Sequence, residues 1–233
     1  MSIVRSAILN ICSNFDLSAE PCVLCGSMSH LGAWCEACDA ALPRLVGPHC
    51  PVCARLTPDG AVCGSCLKNP PAYSDTVAAF AYSFPVDRLI QAMKYDEQIF
   101  LAAMMAKKLA SLIDRSNLPD CLLAMPLHPA RLKSRGFNQA QLIAKPLSKS
   151  LGIPLLNQAC RRLRDTPSQT SLPYDARTRN MKDAFGCDAD FSGKHVALID
   201  DVMTSGASMN ALAKAALAKG ATRISAWVVA RTA

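Results

Sequence analysis

The stretch HVALIDDVMTSGASMNALAKAALAKG, residues 195–220, decides the fold. Its segment Val196–Ile199 is a short apolar run with β-branched ends, which is typical of a buried parallel strand. Two adjacent acidic residues, Asp200 and Asp201, come where this strand is expected to end, and small hydroxyl-bearing residues follow. An Ala/Leu/Lys helix then runs to Gly220, a natural C-terminal stop.

This order of strand, acidic pair, small-residue loop and helix suits a phosphorylated sugar. Backbone N–H groups of the loop and the helix N-terminus can surround a phosphate. Two carboxylates beside it can accept hydrogen bonds from vicinal ribose hydroxyls and help to hold a divalent cation near a second phosphate. An ordinary βα turn explains each residue singly, but adjacent carboxylates repel each other and need a reason. No lysine of the Walker type is present, which disfavours a nucleotide-triphosphate loop of that kind.

The segment VALIDDVMTSGAS, residues 196–208, resembles the phosphoribosyl-pyrophosphate (PRPP) signature of type I phosphoribosyltransferases. The resemblance implies that the acidic pair binds the ribose hydroxyls, with Mg²⁺ present, and that Thr204 to Ser208 bind the 5′-phosphate. It identifies the donor and leaves the acceptor open. The PRPP-binding residues implied are Asp200, Asp201, Val202, Met203, Thr204, Ser205, Gly206, Ala207 and Ser208.

Composition indicates a folded chain with one substantial core and a small module, since it has 233 residues, 51% of them hydrophobic and 18% charged. The formal net charge is +7. If eight thiolates bound two Zn²⁺ ions, they would remove eight charges and the ions would restore four, leaving about +3. The basicity is therefore weak evidence for a polyanionic partner. With no apolar run of membrane-spanning length and no convincing signal peptide, we expect a cytoplasmic protein.

Eight of the twelve cysteines form four CxxC pairs within residues 22–66. Two residues between thiols let both sulfurs reach one metal from a tight turn, so we predict two tandem zinc ribbons. These sites should be structural, because four thiolates leave no open coordination position. Sequential pairing of the CxxC motifs is simplest, interleaved pairing stays open, and a disulfide framework would need an oxidising compartment. The expected ligands are Cys22, Cys25, Cys35, Cys38, Cys50, Cys53, Cys63 and Cys66.

The remaining cysteines, Cys12, Cys121, Cys160 and Cys187, are isolated in sequence, and we expect ordinary apolar or surface residues there. We place the zinc-ribbon module in residues 1–70 and an α/β domain with a mostly parallel, helix-flanked sheet in residues 71–233. The periodicity predicts strands at 76–82 and 121–125, and helices at 86–94, 101–112 and 138–150, the last kinked or interrupted by a proline.

A basic tract, PLHPARLKSRGFNQA, follows the strand predicted at 121–125. Such a loop lies at the carboxyl edge of a parallel sheet, where ligands bind in open α/β folds. A solvated loop is the commoner outcome for any single cation, but four in eight residues favour an anion site. Pyrophosphate, the leaving group of PRPP, is the obvious anion, and its candidate ligands are His128, Arg131 and Arg135, beside Lys133. Lys94, at a helix end, is expected to be solvated, with a role near the acceptor left open.

A third polar tract, RRLRDTPSQTSLPYDARTRNMKDAF, precedes the central strand. It is either a surface excursion or, as we expect of residues 164–180, a lid with a short helix at 175–182. A lid suits phosphoribosyl transfer because the oxocarbenium-like species must be kept from water. The candidate catalytic residues are Asp200, Asp201, Arg164 and Arg135; no general base is identifiable.

These tracts and the CxxC array together resemble the ComF-type competence family, which combines a zinc ribbon with a phosphoribosyltransferase-like domain. The resemblance covers nearly the whole chain from Cys22. It implies a link to natural transformation, with PRPP as ligand and single-stranded DNA or DNA-uptake proteins as partners. One hypothesis is an enzyme that transfers phosphoribosyl to an unknown acceptor. The other is a non-catalytic protein that senses PRPP or binds DNA through Arg161, Arg162, Arg164 and the ribbons, although 6% aromatic residues offers few stacking platforms.

Overall fold

The computed structural model describes residues 20–30, 32–165 and 184–232. Contacts divide the chain into two compact units, one ending at Leu42 and the other beginning at Pro43. None of the helices in the described ranges has the length and apolar character needed to cross a membrane. The first unit holds a small β-hairpin and one short helix, and the second holds the sheet and all other elements.

The strands are β1 (Glu20–Pro21), β2 (Met28–Ser29), β3 (Asp75–Ala81), β4 (Cys121–Ala124), β5 (Cys160–Arg162), β6 (Phe185–Cys187), β7 (His195–Met203) and β8 (Arg223–Arg231). The helices are α1 (Glu36–Ala41), α2 (Gly64–Lys68), α3 (Val86–Tyr95), α4 (Leu101–Ala110), α5 (Pro129–Arg135), α6 (Gln139–Leu151) and α7 (Ala207–Leu217). The strands predicted at 76–82 and 121–125 and the first two predicted helices are thus present, with ends shifted by one or two residues.

A four-stranded sheet in the order β3-β8-β7-β4 forms the centre of the second unit, and all three of its pairings are parallel. Its two middle strands are buried almost throughout, as strands covered by helices on both faces must be. The predicted α/β class with a mostly parallel, helix-flanked sheet is confirmed. Parallel pairing also brings the carboxyl ends of β7, β8 and β4 to one edge of the sheet, where the candidate site lies.

Strand β7 is longer than its apolar run suggested. Because β8 continues beside it as far as the pair Met203↔Arg231, the backbone of the acidic pair still has a hydrogen-bonding neighbour. Asp200 lies opposite Val228 in this register, inside the strand rather than after it. Both carboxyl groups are therefore held on regular backbone, which fixes their directions more firmly than a loop would.

The basic tract after β4 is a helix, so its prediction as a loop was wrong. Pro129 at the first helical position supplies the fixed backbone angle that favours a helix start, and the His128 ring accepts a bond from the N–H of Ala130. Gly136, at φ 82°, ends the helix in the left-handed conformation. In the following helix, Pro146 does not interrupt the chain, which stays helical to Leu151.

Two cysteines that looked isolated are bonded to each other. Cys160 and Cys187 lie directly opposite in the antiparallel pair β5–β6 and form a disulfide. Their separation of 27 residues gave no sequence signal of pairing, so the expectation of ordinary isolated residues was wrong for both. Cys121 is free and buried, as expected. Cys12, the predicted 175–182 helix and the predicted lid beyond Asp165 lie outside the described residues.

Candidate active site and metal centres

Each of the two cysteine clusters has the geometry of a zinc site. All four sulfur atoms of a cluster lie within 4.8 Å of one another. The Sγ atoms of Cys25 and Cys35 are 3.7 Å apart, and those of Cys53 and Cys63 are 3.6 Å apart. Tetrahedral zinc with Zn–S bonds of about 2.3 Å requires sulfurs about 3.8 Å apart. The first cluster is Cys22, Cys25, Cys35 and Cys38, and the second cluster is Cys50, Cys53, Cys63 and Cys66.

The clusters confirm the predicted structural zinc sites and the sequential pairing of CxxC motifs. All eight thiols are free, which excludes the disulfide framework. Burial raises the pKa of Cys22, but backbone N–H groups, led by that of Cys35, outweigh burial and lower it to about 6. At Cys50, burial is likewise outweighed by backbone N–H groups, first that of Cys63, and the pKa falls to about 7. These lowered pKa values favour the thiolate, the form that binds metal, at Cys22 and Cys50. The pKa values of Cys53 and Cys66 are raised, first by burial, and that of Cys38 is raised, first by the neighbouring Cys25.

The acidic pair at the end of β7 is joined by a lysine that the sequence analysis expected to be solvated. Lys94, in the last turn of α3, places Nζ 2.6 Å from Oδ2 of Asp201, and its side chain is only 21% exposed. Burial alone would lower the pKa of Lys94, but the Asp201 carboxylate outweighs it and raises that pKa. Lys94 is therefore the cation of a largely buried ion pair at the candidate site.

Asp200 is the neutral member of the acidic pair. Burial and the adjacent charge of Asp201 raise the pKa of the Asp200 carboxyl to about 8, although Lys94 acts in the opposite direction. Its Oδ1 accepts a hydrogen bond from the N–H of Asp201, and Asp201 accepts one from the N–H of Val202. Two adjacent carboxyl groups coexist here because one is paired with a lysine and the other keeps its proton at neutral pH.

The loop after β7 forms a cavity of about 30 Å³ with Asp200 on one side. Gly206, at φ 78°, turns the chain into α7. A Cβ atom added there would lie 2.7 Å from the hydroxyl oxygen of Tyr73, so both the backbone conformation and the space demand glycine. The lining residues are Asp200, Val202, Met203, Thr204, Gly206, Ser208 and Met209.

The residues expected to bind pyrophosphate are tied to neighbours near this edge of the sheet. The Nε of Arg131 lies 3.0 Å from Oδ1 of Asp165. The Arg135 guanidinium bonds to Gln139 and lies over the ring of Tyr95, the residue after Lys94. Helix α5 thus brings Arg135 beside the end of α3. At the start of α5, Nδ1 of His128 accepts a hydrogen bond from the backbone N–H of Ala130, so this nitrogen faces the helix.

Two arginines of β5 were candidates for contacting DNA. Arg161 forms an exposed ion pair with Asp188, with 2.8 Å between the charged atoms. Arg162 stacks over Phe185, and burial, followed by the charge of Arg131, lowers its pKa. Its charge acts on Asp200 to favour the ionised carboxylate. Arg162 is therefore close enough to the acidic pair for its charge to act on Asp200.

A larger cavity of about 240 Å³ lies at the opposite, amino-terminal edge of the sheet. Its polar groups bond to each other: Arg223 and Ser225 both contact Oδ1 of Asp75, and the His195 ring contacts the Ser225 hydroxyl at 2.8 Å. Ligands of open α/β sheets bind at the carboxyl ends of the strands, so we assign the site to the smaller cavity beside the acidic pair.

Comparison with known proteins places this geometry in a family. The family model named double zinc ribbon domain matches residues 17–67. A protein named DNA utilization protein YhgH, from Escherichia coli strain K12, is 32% identical over 220 residues, which cover 91% of this chain and 96% of that protein. Competence protein F of Haemophilus influenzae is 31% identical over 222 residues, covering 90% and 96%. The chain belongs to the ComF-type competence protein family.

A further relative has lower similarity. Competence protein ComFC of Bacillus subtilis is 24% identical over 212 residues, or 85% of this chain and 84% of that protein. The matches to these ComF-type proteins span both the cysteine clusters and the sheet, so the predicted resemblance over nearly the whole chain is confirmed.

Three residues of this ComF-type site were missed by sequence reasoning. Lys94 looked like any helix-terminal lysine, and Tyr73 lay in a linker. Arg231, at the end of β8, is 2% exposed and bonds to the carbonyl oxygens of Met203 and Thr204 in the phosphate loop. The sequence offered one signal for Arg231, which is a charged residue at the end of an otherwise apolar strand. An arginine buried in such a place must be paired with acceptors.

The zinc sites lead to a prediction about pairs of cysteine substitutions. Wild-type protein should carry about two Zn²⁺ per chain. Cys25→Ser with Cys35→Ser should leave about one, because both changes fall in the first cluster. Cys25→Ser with Cys63→Ser should leave none, because each cluster loses a ligand. Metal analysis of the purified variants checks this, and loss of both ions from the first double variant would contradict the pairing.

The raised pKa of Asp200 leads to a prediction about stability and pH. The unfolded carboxyl ionises near pH 4 and the folded one only near pH 8, so folding takes up a proton between these values. The contribution of Asp200 to stability therefore falls as pH rises through this range. Relative to wild type, Asp200→Asn should therefore gain about 2 kcal/mol of unfolding free energy between pH 6 and pH 8.

Urea unfolding of both proteins at the two pH values measures this difference, in which the titration of the zinc ligands cancels. The matched control is Asp188→Asn, which removes an exposed carboxylate and should show no such trend. An Asp200→Asn advantage that stays constant from pH 6 to pH 8 would show that the carboxyl is already ionised in the folded chain, and would contradict the raised pKa.

Proposed function

We propose that this protein is a phosphoribosyltransferase-type enzyme of DNA utilization that binds PRPP with Mg²⁺ at the carboxyl edge of its sheet. The observation that carries the proposal is the acidic pair Asp200–Asp201, held on β7 directly before a glycine-containing loop and an eleven-residue helix. The names of the relatives, competence protein F and DNA utilization protein, support a role in the handling of DNA taken up by the cell.

The donor would be held by groups whose chemistry matches its parts. The cavity of about 30 Å³ takes one phosphate-sized group, against the loop N–H groups and the start of α7. Asp200 lines this cavity and Asp201 follows it on β7, so their oxygens would accept hydrogen bonds from the two ring hydroxyls. The rest of PRPP would extend over the open edge toward α5.

Mg²⁺ fits this donor set. Magnesium is bound in proteins by one or two carboxylates together with substrate phosphates. The Asp201 oxygen is engaged by Lys94, which leaves Asp200 as the carboxylate available for a cation. A bound divalent cation would neutralise charge on the pyrophosphate leaving group. The same positive charge would favour ionisation of Asp200.

The residues of this chain then have distinct roles in transfer. The acceptor nucleophile forms a bond to the anomeric carbon of the ribose while the bond to pyrophosphate breaks, and the positive charge that develops on the sugar must be shielded from water. Arg131, Arg135 and His128 are the candidates to receive pyrophosphate. Lys94 forms an ion pair with Asp201 and holds it in place, so its role is to position the residue that contacts the ribose.

A screen for pyrophosphate release tests the function directly. Zinc-loaded protein with PRPP and Mg²⁺ is supplied with nucleobases, nucleosides and single-stranded oligonucleotides in turn. Release that depends on one class of acceptor identifies the acceptor and confirms an enzyme. PRPP binding without release for any acceptor would favour a PRPP-responsive binding protein on the same fold.

The donor site predicts the effect of three substitutions on PRPP affinity. Asp200→Asn and Asp201→Asn should each weaken binding about tenfold or more, since the first removes the carboxyl group available to Mg²⁺ and the second removes a charged hydrogen-bond acceptor. Gly206→Val should weaken it as strongly, because its side chain would meet the Tyr73 hydroxyl. Calorimetric titration with PRPP and Mg²⁺ measures all three.

Tyr73→Phe supplies the matched control for the glycine variant. Without the hydroxyl oxygen, the nearest Tyr73 atom to the added Cβ is the ring carbon at 3.8 Å, an ordinary contact. Adding Tyr73→Phe to Gly206→Val should therefore restore part of the affinity, although the strain of the positive φ remains. Unchanged PRPP affinity in the two Asp variants would refute the donor site.

Arg164 separates an enzyme from a DNA-binding protein. If the segment after Arg164 closes over the reacting centre, Arg164→Ala should lower turnover more than PRPP affinity, since lid contacts are strongest in the transition state. If it forms a DNA-binding strip, the variant should bind oligonucleotides more weakly and with a smaller salt dependence. Both assays are run on the same preparations, with Arg161→Ala as the control for an exposed arginine already paired with Asp188.

A further inference from the structure

We propose that the second cluster, Cys50, Cys53, Cys63 and Cys66, is a positioning element of the phosphate loop, and that Arg231 couples zinc binding there to ligand binding by the loop. The inference rests on the proposed function in taking PRPP as the ligand of the loop. It assigns to one of the two zinc sites a role beyond holding its own ribbon together, and it makes the two sites inequivalent.

Arg231 bonds to both parts at once. Its Nε donates to the carbonyl oxygen of Cys53 at 2.8 Å. Its Nη1 donates to the carbonyl oxygens of Met203, at 2.9 Å, and of Thr204, both in the segment that forms the phosphate loop. One rigid, planar group therefore connects a zinc ligand residue with the loop, and no flexible spacer lies between them.

The Arg231 guanidinium depends on these carbonyl groups. The residue is only 2% exposed, and burial is the first cause of the lowering of its pKa. A buried cation must have its N–H groups bonded, because water cannot replace a lost acceptor. If the Cys53 carbonyl moved, the guanidinium would have to move toward other acceptors, and the Met203 and Thr204 carbonyls would follow or lose their donor.

The Cys53 carbonyl is held in place by the folded ribbon. The Thr76 hydroxyl of β3 donates to the Val52 carbonyl at 2.6 Å, so the turn is bound to the sheet from its other side. Ala54 is fully buried in the same apolar cluster as Met203 and Tyr73, and its φ of 56° is a left-handed conformation that alanine adopts only when the surroundings impose it. Zinc is what holds Cys50 and Cys53 in this turn, because structural metal affinity is folding energy.

Coupling of this kind must act in both directions. If zinc in the second cluster orders the loop for PRPP, PRPP must raise the affinity of that cluster for zinc by the same factor. Couplings of this sort typically change affinities by about 5-fold to 150-fold, and one shared guanidinium supports a value of about tenfold. The first cluster serves as the internal control, since Cys53 belongs only to the second.

The first experiment measures zinc affinity with single-site proteins. Cys25→Ser keeps a complete second cluster and Cys63→Ser a complete first cluster. Each is titrated with a zinc-selective chromogenic chelator, with and without PRPP and Mg²⁺. PRPP should raise the zinc affinity of Cys25→Ser about tenfold and leave that of Cys63→Ser unchanged. The double variant Cys25→Ser with Arg231→Lys keeps the positive charge but loses the planar guanidinium that bonds to both parts at once. In this variant the increase in zinc affinity caused by PRPP should fall below about twofold.

The outcomes separate the coupling from the proposed function. If calorimetry shows PRPP bound while zinc affinity stays the same in Cys25→Ser, the coupling is overturned and the donor site stands. If PRPP does not bind at all, the proposed function fails, and the coupling is then tested without it by hydrogen exchange. Loop residues 203–209 should exchange faster in Cys63→Ser than in Cys25→Ser, and equal exchange overturns the inference.

A folding failure of Cys63→Ser does not remove the test. Arg231→Lys is then compared with wild type, both with the full set of cysteines. Faster exchange in residues 203–209, together with weaker binding of the second zinc ion, supports the role of Arg231. Unchanged exchange and unchanged zinc affinity in a folded Arg231→Lys protein would overturn it.

Discussion

The parallel pairing of β7 with β8 is the constraint on which the rest of the structure depends. It runs in unbroken register from His195↔Arg223 to Met203↔Arg231, through strands that are buried almost end to end. This pairing carries the acidic pair on one strand and Arg231 on the other to the same edge of the sheet. Because the apolar residues of both strands pack in the core, a change in the register of either strand would move those residues out of it.

Charge at this edge is balanced within the protein before any ligand binds. Lys94 neutralises Asp201, and burial keeps a proton on Asp200. Two carboxyl groups that would otherwise repel each other are thereby accommodated side by side. Such perturbed groups concentrate at functional sites, and here they lie beside the loop that leads into α7.

The sequence predicted the parts of the fold that local patterns determine. The apolar run of β7, the helix that follows and the CxxC spacing each have a short-range signature, and the structure has all three. The partners of those parts were not predictable: Lys94, Tyr73 and Arg231 reach the site through contacts that join distant segments. The disulfide of Cys160 with Cys187 has the same cause, because only the β5–β6 pairing brings them together. The basic tract was predicted as a loop because it follows a strand and contains prolines, whereas Pro129 and Gly136 in fact begin and end a helix.

The division of the chain at Leu42 and Pro43 passes between the two halves of a double zinc ribbon. One repeat has remained a separate small fold, and the other has been absorbed into the architecture of the sheet. Change in the second repeat disturbs the unit that contains the sheet, because Arg231 and Thr76 bond to its backbone. A shortened descendant that began at residue 43 would keep one metal and the whole sheet, so loss of the leading repeat is the simplest route by which this architecture can diversify.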